Sequence, residues 1–168
     1  MTIELDPVER ITADAVGPPG ERVFYLQARK ADRVVTLLVE KEQVELLAAS
    51  VISILAQVGK EVEESAAEES MDLEEPLLPE WRAGRISIGF QEDRDLFLLE
   101  AEEDLDEDED REPGAVRLWA TAGQLFALAR HGAAVVARGR PRCGLCGNPL
   151  DPEGHVCPAL NGKRGAGD

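Results

Sequence analysis

The chain has 168 residues, enough for one domain with a hydrophobic core and a short appendage. Acidic residues outnumber basic ones by 34 to 18, for a formal net charge of −16. Such a surface repels phosphate backbones and anionic lipid, so nucleic acid is disfavoured as a partner and a protein partner is expected. Aromatic residues make up only 4% of the chain, so the core is expected to be built from Val, Leu, Ile and Ala.

The chain opens without a basic-then-apolar leader. Its longest apolar run, residues 46–56, is too short to span a bilayer and is broken by serines, so no membrane segment and a cytoplasmic location are expected.

The first elements read as strands. Residues 3–7 form a short one, limited by Pro7, and residues 10–16 form a second. Gly17-Pro-Pro-Gly20 then breaks the chain, because proline fixes φ and glycine supplies positive φ. Residues 22–40 alternate around a polar turn at 30–33 and predict an antiparallel hairpin.

From Lys41 the period changes. Val44, Leu47, Ala48, Val51, Ile52, Leu55 and Val58 recur at helical spacing and predict a helix from about 42 to 58 that buries this stripe in the core. Residues 60–79 are acidic, lack periodicity and read as a solvated connector. Alternation resumes at Ile86, Ile88 and Phe90, and with residues 95–101 predicts a second hairpin. Residues 102–112 are nearly all acidic, and like charges at this density predict a solvated loop. The run lacks the spaced ligands and turn glycine of a calcium loop.

Residues 115–120 predict a further strand. Thr121 then reads as the N-cap of a second helix, with Leu125, Leu128, Ala129, Gly132, Val135 and Val136 on one face and its end near Gly139. The two strand-then-helix passages are loosely alike: Gln43 and Gln124 are each followed by Leu-Ala four and five positions on.

The sharpest chemistry lies in the last segment, which holds all three cysteines. In Cys143-x-x-Cys146-Gly the short gap and the glycine let the chain curl so that both sulfurs reach one ion, at roughly 2.3 Å. His155-x-Cys157 follows after a turn-rich stretch, Asn-Pro-Leu-Asp-Pro-Glu-Gly. Three thiolates and one imidazole close a tetrahedron around Zn2+, which predicts one structural zinc on Cys143, Cys146, His155 and Cys157. A tail so poor in apolar residues would draw its order from the metal. The alternatives are a reduced, metal-free tail or a redox Cys-x-x-Cys pair, although Gly147 and Pro149 oppose the helix that a thioredoxin-like motif would open. His131 is a further candidate ligand in place of His155. Arg130, Arg138, Arg140 and Arg142, with Lys163 and Arg164 beyond, form a small basic patch that reads as charge balance.

No phosphate-cradling glycine loop and no serine-nucleophile motif occurs, so no catalytic residue is assigned.

Three segments carry a family resemblance: Gly17-Pro-Pro-Gly-Glu-Arg-Val-Phe-Tyr-Leu-Gln-Ala-Arg29, Val39-Glu-Lys-Glu-Gln43, and Cys143-Gly-Leu-Cys-Gly-Asn-Pro-Leu-Asp-Pro-Glu-Gly-His-Val-Cys-Pro-Ala-Leu-Asn-Gly162. In these the chain resembles a family of conserved actinobacterial proteins of unassigned biochemical function. That family includes ParJ, a protein associated with the chromosome-partitioning ATPase ParA. The resemblance implies a protein-interaction role and transfers no catalytic residue.

The expectation is therefore an α+β fold: a mostly antiparallel sheet covered by two helices over residues 1–139, followed by a zinc-knuckle-like tail over 140–168. The expected work is non-enzymatic protein–protein interaction, as regulator or adaptor. The alternative is an enzyme using a cleft between sheet and tail.

Overall fold

A computed structural model describes residues 1–18, 20–60 and 71–138. The proposed zinc tail and its four ligands lie outside the described residues.

The elements follow the alternation and the helical stripes closely. Strands β1 (Thr2–Leu5), β2 (Arg10–Val16), β3 (Val23–Lys30) and β4 (Arg33–Val39) lead into helix α1 (Lys41–Gln57). Strands β5 (Ala83–Gln91), β6 (Leu96–Glu103) and β7 (Ala115–Ala120) lead into helix α2 (Ala122–Arg138). The fold is α+β, but with two sheets where the sequence suggested one. One is an antiparallel meander ordered β2-β3-β4; the other is ordered β1-β7-β6-β5. Alternation along a strand reports that one face is covered, and cannot report which strands share a ladder.

The architecture is a three-strand meander plus a 17-residue helix, occurring twice. The segment before each meander crosses to the other unit. Strand β1 pairs in parallel with β7, and Leu38 of β4 bridges Arg82, just ahead of β5, also in parallel. The matching glutamines make the same joint twice. Gln43 Oε1 accepts the Glu40 N–H at 2.7 Å, and its Nε2 donates to the carbonyls of Ala83 and Gly84. Gln124 Oε1 accepts the Thr121 N–H at 2.9 Å, and its Nε2 donates to the Val8 carbonyl. Each glutamine thus caps its own helix and clamps the entry to the other unit's meander. Thr121 Oγ1 accepts the Gln124 N–H, completing the expected cap on α2.

Helix α1 ends as the sequence indicates. Gly59 takes φ +71, and the N–H groups of Gly59 and Lys60 return to the carbonyls of Ala56 and Leu55.

The core lies between the sheets and the helix pair. Phe97, Leu99, Val116, Leu118, Leu125 and Leu128 are fully buried, with Leu26, Leu37 and Val51 from the first unit. The β2-β3-β4 sheet is buried on its inner face and, along one row, on its outer face as well. Its outer face carries a polar row in register, Thr12, Gln27 and Thr36, all buried. Buried polar groups need partners, and the acidic connector supplies them. Thr12 Oγ1 donates to the Met71 carbonyl, while Gln27 donates to the Glu74 carbonyl and accepts the Glu74 N–H at 2.7 Å. Arg10 and Arg29, one row away, take the Glu74 carboxylate at 3.2 and 3.1 Å. Residues 71–80 are therefore a strap bound across the sheet, where composition suggested a solvated connector.

The second acidic run is likewise more ordered at its start than composition suggests. Strand β6 extends through Glu103, whose carboxylate takes a bidentate pair from Arg111 at 2.8 Å and the Gly114 N–H at 3.0 Å. The Arg111 guanidinium, then the Gly114 N–H, lower the Glu103 pKa from 4.5 to about 2. A carboxylate depressed on folding stabilises the protein above its unfolded pKa and loses that contribution as pH falls through the folded value. Glu103 is thus expected to add an acid-sensitive component between pH 4.5 and about 2. Denaturant titrations across that window should show a shallower loss of stability for Glu103→Gln than for the parent.

Candidate interaction grooves flanking the first helix

The two helices do not sit equally close to the strands they cover. Gly132 lets α2 pack closely on α1 and against β2: a Cβ there would stand 3.1 Å from Val44 Cγ1 of α1 and 3.7 Å from Ala13 Cβ of β2. When Gln43 is set on Gln124, the corresponding position of α1 is Val51, which is fully buried. A side chain in place of a hydrogen holds a helix further from its neighbour.

A groove of about 690 Å³ lies between α1 and β5. Leu46, Leu47, Ser50, Ser53, Ile54 and Gln57 line it from the helix, and Gly84, Ile86, Ser87 and Ile88 from the strand. Leu46 is 68% exposed. Among the described residues the lining contains no titratable side chain, and its polar groups are hydroxyls, amides and backbone. Among the described residues β5 is the outermost strand of its sheet, paired only with β6, so from Arg85 to Gln91 no described strand ladders on its other edge.

A second groove, of about 520 Å³, runs between α1 and α2 on the other flank of α1. Ile52 lies in it and is 48% exposed, so this residue belongs to a surface groove and not to the core stripe. The helical period placed Ile52 beside Val51 and Leu55, but a stripe wider than the sheet it covers spills onto the flank.

Of the candidate ligands, only His131 lies among the described residues. Its Nε2 stands 3.0 Å from Asp14 Oδ2, an ion pair when the ring is protonated, which ties α2 to β2. Cys143, Cys146, His155 and Cys157 lie outside the described residues. Among the described residues, no group of three or more His, Cys, Asp or Glu side chains is placed to hold a metal. In the basic patch, Arg130 stacks over Phe126 at 5.8 Å and Arg138 donates to the Ala134 carbonyl at 3.4 Å, both local packing roles. Among the described residues no helix is long and apolar enough to cross a membrane.

The residues that sequence reasoning missed are Leu46, Ile54 and the exposed edge of β5. Leu46 lay off the helical stripe, which was the available signal.

A family model covers residues 3–157 and is described as a protein of unknown function, DUF3090. The chain belongs to this family. The match spans both meander-and-helix units, so the doubled architecture falls within one family unit. No curated protein and no solved structure matches the chain.

Proposed function

We propose that this protein is a non-enzymatic interaction module whose work is to hold an extended segment of a partner protein in the α1–β5 groove. The observation that carries the reading is the open edge of β5 beside an apolar, uncharged trough. Free strand N–H and C=O groups give a peptide backbone its hydrogen bonds, and pockets beneath receive its alternate side chains. Leu46, Ile54, Ile86 and Ile88 would receive apolar ones. Among the described residues the groove presents no acid, base or activated nucleophile, which favours binding over turnover.

The tail enters this reading as a cytoplasmic zinc clip held by Cys143, Cys146, His155 and Cys157, a closed Cys3His set that would be structural. The resemblance to the family that includes ParJ makes a ParA-type partitioning ATPase the first partner to test. The net charge of −16 favours a basic contact surface on that partner.

Ile88→Asp tests the groove, because it places a charge on the apolar floor beside the open edge. Partners recovered on the native protein from its own cells should be lost on Ile88→Asp, with affinity reduced at least about tenfold, or 1.4 kcal/mol. They should be retained on Val34→Asp, an exposed position of β4. Equal recovery on both variants would refute the groove as the binding face.

A further inference from the structure

Strand β5 carries on its outer face a glycine that the fold itself does not require. Gly89 sits between Ile88 and Phe90, in register with Leu98 of β6, and the one register shift of this pair lies elsewhere, between Ala83 and Arg85. Its φ is not positive. A Cβ built on it would meet nothing within 4 Å. A glycine inside a strand weakens it. With regular pairing on both sides there is no bulge or corner to account for it, and the remaining reason is close approach of a ligand or another backbone.

The row that Gly89 begins shows what would approach. Gly89, Leu98 and Trp119 lie side by side across β5, β6 and β7. The far end of the row is covered, because Arg94, held by Asp6, lies 4.8 Å over the Trp119 ring. The near end is bare backbone beside a half-buried Leu98. An aromatic side chain laid across a strand glycine recovers the apolar contact that the missing side chain forfeits.

Charge defines the flanks. Ser87 and Gln91 stand two positions to either side of Gly89 on the same face. Ser87 is paired with Glu100, whose Oε2 takes Arg117 at 2.6 Å while its Oε1 has no partner among the described residues. Gln91 leads into the turn that holds Glu92 and Asp93, both exposed and, among the described residues, without an ion pair. We infer that the segment held beside β5 carries an aromatic residue opposite Gly89, an apolar residue on each side of it, and a basic residue opposite Ser87 and opposite Gln91. Side chains directly opposite one another in a ladder share a face, so the residues opposite Ile86 and Ile88 enter the trough while the aromatic and basic ones lie outside. The pattern is symmetric about the aromatic and fits a segment running in either direction. This inference rests on the reading of β5 as the binding edge and adds the chemistry of its occupant.

The test uses the purified full chain and the synthetic peptide Val-Lys-Val-Tyr-Val-Lys-Val, flanked by serines, which reads alike in both directions. It should bind and slow exchange of the β5 amides. Alanine in place of its tyrosine should weaken binding by at least about fivefold, and glutamate in place of both lysines by as much again. Gly89→Val should keep the thermal transition, since the new side chain enters open space. On that variant the preference for tyrosine over alanine should fall to about twofold or less, because valine then covers the gap. Tyrosine and alanine peptides that bind the native protein alike, both protecting β5, would overturn this inference and leave the binding edge standing. So would a glutamate peptide that binds as well as the lysine one, or a tyrosine preference unchanged by Gly89→Val. No binding by any peptide, or binding that leaves the β5 amides exchanging at their free rate, would refute the binding edge and this inference with it.

Discussion

Gln27→Leu is expected to lower the stability of the folded protein by about 3 kcal/mol and to release the strap. The side chain is only 1% exposed, and it meets three groups: Thr36 Oγ1 and the Glu74 carbonyl at 3.0 Å, and the Glu74 N–H at 2.7 Å. Leucine has a similar volume, so packing changes little. The loss comes from leaving the Glu74 backbone under a buried row with nothing to bond to, at roughly 1–3 kcal/mol per unsatisfied group. Arg29→Ala removes one of two half-exposed ion pairs to Glu74, together with its pair to Glu9 at 3.6 Å, and should cost only about 0–1 kcal/mol. Chemical denaturation ranks the two variants. Amide exchange at Glu74 separates local release from global loss, and should rise most in Gln27→Leu. If Arg29→Ala proved the more damaging, the strap would be held by charge and not by the polar row.

The second large effect is expected in the tail. On the proposed zinc clip, Cys143→Ser should reduce bound zinc from about one per chain to none, because it would remove one of the four proposed ligands. Metal binding supplies about 10–16 kcal/mol in small zinc modules, so the local consequence is large. The two meander-and-helix units should keep their thermal transition, since Leu125, Leu128 and Val135 belong to one core cluster with residues of both sheets. Elemental analysis reads the first outcome and calorimetry the second. Zinc retained on Cys143→Ser would remove Cys143 from the ligand set.

Much of the fold was legible because its elements obey local rules. Ile86, Ile88 and Phe90 alternate, and β5 is a strand. Thr121 precedes a helical stripe with Gln124 three positions on, and α2 starts there with both bonds made. The shared Gln-Leu-Ala pattern also carried real information: Gln43 and Gln124 occupy the same joint in the two units. What was not legible depends on partners distant along the chain. Glu74 reads as one more solvated acid in the sequence, but Arg10 and Arg29 converge on its Oε2. Glu103 looked the same until Arg111 closed on it. Composition counts charges, but order depends on whether a counter-charge and a backbone donor meet each one. The grooves were hidden for a related reason. Periodicity identifies an apolar face, but the gap left beside it depends on how closely helix and strand pack, which no single element reports.

Hydrogen exchange at the backbone amides of β5, with the partner bound and free, tests the interaction account most directly. If an extended segment adds to the sheet, outward-facing amides between Arg85 and Gln91 gain hydrogen bonds, and their exchange should slow by at least about tenfold. Ile88→Asp should abolish that protection. A bound partner that leaves the β5 amides exchanging at their free rate, while protecting another surface, would contradict the account.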